Sequence, residues 1–96
     1  MIEYLYNAIR MVAGQEEEVY TIARDDEGFI DKGIVFMLHS PEGEVIAKVD
    51  GNYNPNTYQW TFIIPAEATA GRTGKHWYCF MREGKNLCFK QPFYLL

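Results

Sequence analysis

Residues 57–64 read TYQWTFII, the most regular alternation in the chain. Tyr58, Trp60, Phe62 and Ile64 fall on one side, and Thr57, Gln59 and Thr61 on the other. A period of two is the mark of a β-strand, because successive Cβ atoms point to opposite faces of the pleat. Bulky apolar groups on one face and short polar ones on the other predict a strand that covers a core.

The same period continues in both directions. Upstream, Ile34 to Ser40 sets Ile34, Phe36 and Leu38 against Val35, Met37 and His39. Ser40-Pro41-Glu42-Gly43 then forms a turn, since proline presets φ at the second position and glycine closes it. Glu44 to Asp50 returns with Val45, Ala47 and Val49 on one face, and Gly51 to Asn56 (GNYNPN) reads as a loop of turn formers. Earlier still, a first strand lies within Ile2 to Ala13 and ends at Gly14. A second spans Glu17 to Arg24 and stops at Asp25-Asp26-Glu27-Gly28.

Downstream, Pro65 to Gly74 (PAEATAGRTG) is the only stretch with room for a helical turn. It is too short to be stable alone and is expected to carry the chain from one sheet to the other. Lys75 to Arg82 and Leu87 to Leu95 are the last two strands, joined by Glu83-Gly84. Pro92 lacks the N–H that a ladder needs, which predicts an edge strand or a bulge there.

About seven short antiparallel strands with turn signals between them predict an all-β chain. The expected architecture is an immunoglobulin-like Greek-key β-sandwich, with a small barrel as the alternative. The 96 residues suffice for one such domain over 1–96, with seven Tyr, six Phe and two Trp to fill its core.

A net charge of −4 and scattered basic residues speak against nucleic acid as partner, because phosphate contacts need clustered Lys and Arg. Met1-Ile2-Glu3-Tyr4 does not start a secretory leader, and no run approaches the roughly 20 apolar residues of a membrane span. The expectation is a chain made in the cytoplasm with no membrane partner, which leaves later incorporation into a virion open.

A two-residue turn at Glu83-Gly84 sets a hairpin register. Arg82 then faces Lys85, Phe80 faces Leu87, Tyr78 faces Phe89 and Cys79 faces Cys88. Tyr78, Phe80, Leu87 and Phe89 share the core face, so Trp77, Cys79, Met81 and Cys88 share the opposite, outer one. That face ought to be wet in a lone sandwich, yet it is apolar, which makes these four residues the candidate interface. A longer loop would flip every side chain and withdraw the candidate. Cys79 and Cys88 come close enough in this register for a disulfide, but without an export signal they are expected to be reduced.

Other motifs lack the parts their chemistry requires. Gly71-Arg72-Thr73-Gly74-Lys75 resembles a phosphate loop, but His76 follows the lysine and Thr69 stands in place of the first glycine. Asp50-Gly51-Asn52-Tyr53-Asn54 starts like a calcium loop, yet Pro55 replaces its glycine and Thr61 its bidentate Glu. His76 and Cys79, three apart on a strand, point to opposite faces and do not share a zinc ion. The expectation is no enzyme activity, no cofactor and no metal. Tyr53 and Trp77 are candidates for stacking on a carbohydrate.

Several segments resemble the small immunoglobulin-like domains of tailed-phage and prophage structural proteins, such as the N-terminal domains of baseplate upper proteins. Residues 9–15 (IRMVAGQ) are similar to their opening strand and turn, and 25–33 (DDEGFIDKG) to their acidic turn. Residues 34–43 (IVFMLHSPEG), 60–69 (WTFIIPAEAT) and 74–80 (GKHWYCF) follow in the same order, with His76, Tyr78 and Phe80 at inward positions. Positions 77, 79 and 81 depart from that pattern, being Trp, Cys and Met where polar residues are usual. The resemblance implies a non-catalytic structural or adaptor module with protein partners, self-association included. A carbohydrate-binding module is the alternative.

Overall fold

The structure is a computed structural model that describes residues 2–5, 8–22, 33–82, 85–86 and 90–96. The acidic turn at 25–28, the Glu83-Gly84 turn and Cys88 lie outside the described residues. Among the described residues, ten strands form two sheets, the two-layer all-β arrangement that the alternation predicts. In chain order they are β1 (Glu3–Leu5), β2 (Ala8–Met11), β3 (Glu17–Ile22), β4 (Val35–His39), β5 (Val45–Asp50), β6 (Asn52–Asn54), β7 (Gln59–Ile64), β8 (Gly74–Arg82), β9 (Lys85–Asn86) and β10 (Gln91–Leu95).

The larger sheet runs β1-β2-β10-β8-β4-β5, with β9 paired to β8, and the smaller runs β3-β7-β6. Neighbours are antiparallel except β2 and β10, which run parallel with Phe93 beside Ile9. The sheets close on one core. Ile9, Met11, Phe36, Leu38, Phe93 and Leu95 come from the larger sheet, and Val19, Trp60, Phe62 and Ile64 from the smaller. Phe36 lies at its centre, its ring within 6.1 Å of Phe62, Tyr78, Phe80 and Phe93.

The Ser40–Gly43 turn forms as expected: the Gly43 N–H donates to the Ser40 carbonyl at 2.9 Å, with Gly43 at φ +94°. One consequence of this hairpin is not visible locally. The β4–β5 register shifts between Leu38 and His39, so Leu38 faces Ala47 while His39 faces Val45. Ile46 is the extra residue of this bulge and packs on the core, whereas Val45 is 44% exposed. A single extra residue reverses the facing of everything before it, which corrects the expected Val45–Ala47–Val49 face.

Four other expectations are also corrected. Residues 2–13 hold two strands, and β1 folds back on β2 with Tyr4 facing Ile9. The supposed loop at 51–56 contains β6, because Tyr53 pairs with Trp60 and packs its ring 5.0 Å away. Tyr58 is no core residue: it stands in the turn before β7 at φ +57°, nearly half exposed. Pro92 does not lie on an edge strand, since β10 is flanked by β2 and β8. Its first β2-paired neighbour is Phe93, so no β2 pairing is required of the proline itself.

The Pro65–Gly74 segment holds a one-turn helix, α1 (Ala66–Thr69), between the smaller and the larger sheet. One turn is not stable by itself. Thr69 anchors it: fully buried, its hydroxyl accepts the Gly14 N–H at 2.9 Å and ties α1 to the β2–β3 turn. Thr69→Val keeps the shape and deletes the acceptor. It is expected to cost about 1–2 kcal/mol, seen as a lower urea midpoint at unchanged slope.

Candidate functional site

The register of β8 decides which of its side chains are available. Phe36 of β4 faces Phe80 and Leu38 faces Tyr78, so these point into the core. His76 is inward too, 2% exposed, with its Nδ1 3.2 Å from the Gly74 carbonyl. Lys75, Trp77, Cys79 and Met81 therefore occupy the outer face.

The hairpin register holds only near its tip. Arg82 pairs with Lys85 and Met81 with Asn86, but Tyr78 pairs with Gln91 and Trp77 with Pro92. The expected facing of Tyr78 and Phe89 is thus off by two residues. A slip of two keeps side chains on their faces, so the β8 residues Tyr78 and Phe80 still point inward despite the wrong partner.

The outer face has a buried centre and a partly open rim. Cys79 is 1% exposed, Met37 8% and His39 6%, so Cys79 is not the exposed interface residue that alternation suggested. Burial on this side is set by what packs over the sheet, and the local period carries no information about it. Trp77, Met81, Val35 and Pro92 are partly exposed around that centre. The Lys75 ammonium lies 4.6 Å from the centre of the Trp77 ring, a cation–π contact on the face a sugar would use. Tyr53 is half-buried against Trp60 rather than projecting from a loop.

Pairing of β4 with β8 brings together two groups 40 positions apart. Cys79 places its Sγ 3.5 Å from His39 Nε2, and both residues are buried. Only the β4–β8 register brings Cys79 beside His39. Among the described residues no group of three or more His, Cys, Asp or Glu could hold a metal ion. Among them, too, no helix is long and apolar enough to cross a membrane.

Burial, aided by the Lys90 charge, holds His39 below its ordinary pKa, with the Gly43 backbone opposing weakly. A histidine depressed in the folded state binds its proton more readily when unfolded. Its contribution to stability is complete above the unfolded value of about 6.5 and is lost as pH falls through the lower folded value. The urea midpoint is expected to drop on going from pH 7.5 to mildly acidic pH, and His39→Gln should flatten that part of the profile.

Fold and site together define a two-sheet β-sandwich with an apolar outer face on its larger sheet. Beyond that class, comparison with protein-family models, curated proteins and solved structures returns no match.

Proposed function

We propose that this chain is a non-catalytic, immunoglobulin-like structural or adaptor module of a multi-subunit assembly, of the kind found in tailed-phage particles. The observation that carries the reading is the apolar rim of Trp77, Met81, Val35 and Pro92 on the outer face of the larger sheet. Aromatic residues and Met are enriched where proteins meet, and the exposed parts of Trp77 and Met81 lie side by side with Val35 and Pro92 on this rim.

The immunoglobulin-like part rests on strand order. The trio β3-β7-β6 corresponds to strands B, E and D of such domains, and β10-β8-β4-β5 to G, F, C and C′. The phage setting rests on the sequence resemblance of segments 9–15, 25–33, 34–43, 60–69 and 74–80 alone.

Light scattering coupled to size-exclusion chromatography, under reducing conditions, tests the reading. A defined oligomer that Trp77→Glu or Met81→Glu dissolves, with the circular dichroism spectrum unchanged, supports it and locates the face. A monomer at millimolar concentration, indifferent to either substitution, overturns self-assembly through this rim.

A further inference from the structure

The second margin of interest is on the smaller sheet. Among the described residues β3 pairs with β7 on one side and with no strand on the other. The free side is not bare. The Tyr20 N–H points away from β7 and donates to the Tyr4 hydroxyl at 3.1 Å, so a phenol stands where a neighbouring strand would offer a carbonyl. Backbone groups alternate along a strand, so the Glu18 N–H faces the same open side.

Around this edge the surface is both apolar and acidic. Tyr4 and Tyr20 are each 45% exposed with ring centres 5.1 Å apart, and Ile63, opposite Glu18 on β7, is 47% exposed. Glu16 and Glu18 are exposed beside them. Partial burial holds the Tyr4 phenol above its ordinary pKa, the Tyr20 backbone bond opposes, and the neighbouring Tyr20, Glu18 and Glu17 add to the rise. The hydroxyl therefore stays neutral at physiological pH.

An unpaired strand edge is a template for another strand. A second copy of this chain repeats the acidic edge rather than complementing it: parallel pairing in register, or antiparallel pairing centred on Glu17, sets Glu16, Glu17 and Glu18 against their own counterparts. An extended basic segment meets no such repulsion. We propose that the outer edge of β3 accepts such a segment from a partner protein as an added strand, with Tyr4 as a plug that leaves the Tyr20 N–H when the strand docks. The matching segment alternates apolar residues, on the side of Val19 and the core, with Lys or Arg on the side of Glu18. The stems of those basic residues lie along Tyr20. This edge lies on the other sheet from the Trp77 rim, so the two readings stand or fall separately.

The probe is a fluorescein-labelled, end-blocked nonapeptide alternating Val and Lys, followed by fluorescence anisotropy. Two further forms are N-methylated at every Val or at every Lys, which keeps the charge and removes the N–H groups of one peptide edge. The parent peptide is expected to bind, one methylated form to bind about tenfold more weakly, and the other to bind like the parent. Glu18→Lys should weaken binding several-fold, Tyr4→Phe should tighten it by clearing the Tyr20 N–H, and Trp77→Glu should leave it unchanged. Equal binding of all three peptides reduces the effect to attraction between a polycation and an acidic protein, and overturns the proposal. So does an absence of binding at millimolar peptide by a Tyr4→Phe protein with an intact circular dichroism spectrum.

Discussion

Replacing Phe36 with alanine is expected to cost about 3–5 kcal/mol, the largest single-residue loss in this chain. Phe36 is fully buried on β4, and its ring meets four others. It stacks on Tyr78 at 5.7 Å, meets Phe80 edge-on at 5.7 Å, and tilts against Phe93 at 6.0 Å and Phe62 at 6.1 Å. Three of these partners come from the larger sheet and Phe62 from the smaller, so the ring bonds the two layers at their centre. Truncation removes the transfer energy of the ring and leaves a cavity that strands fixed by their ladders cannot close. A chain of this size has about 5–14 kcal/mol of stability in all, so Phe36→Ala should be marginal at 37 °C. Thermal unfolding followed by near-ultraviolet circular dichroism checks this, at about 4–8 °C for each kcal/mol. A shift of only a few degrees would mean that Phe36 is not central.

Gly51→Ala is expected to be the most damaging addition of a single methyl group. Gly51 links β5 in the larger sheet to β6 in the smaller, and its N–H donates to the Ile34 carbonyl at 3.0 Å. A Cβ there would come 2.6 Å from Phe62 Cε2 and 2.8 Å from Trp60 Cε3. Both rings are buried, so neither can swing aside. Forcing them off their rotamers costs about 1–3 kcal/mol. The steric origin gives the prediction a second, sharper form. In the Phe62→Leu background the smaller side chain makes room, so Gly51→Ala should cost measurably less there than in the parent. A double-mutant cycle in urea reads that coupling, and strict additivity would assign the loss to backbone conformation instead.

The candidate site was only partly legible before folding. The outward facing of Trp77, Cys79 and Met81 follows from their odd positions on one strand once Tyr78 and Phe80 are placed inside. Whether an outward residue is wet does not follow. Cys79 and His39 are buried on that side, and their 3.5 Å contact depends on β4 lying beside β8. The Tyr4–Tyr20 contact has the same character, joining two strands of different sheets.

By itself the sequence determined what is local. The alternation of Trp60, Phe62 and Ile64 makes β7 a core strand, Pro41 and Gly43 set the β4–β5 turn, and Pro65 to Gly74 has room for one helical turn. Each depends on side-chain period or on backbone angles within a few residues, so neighbours in the chain suffice to decide it. Only the tertiary structure decided what depends on partners. The Ile46 bulge exposes Val45, the two-residue slip moves Tyr78 from Phe89 to Gln91, and β6 emerges where turn formers stood. The parallel docking of β2 on β10 joins segments more than 80 positions apart. Registers and neighbours of this kind are chosen by the fit of one sheet against another, and a period of two is the same for every strand.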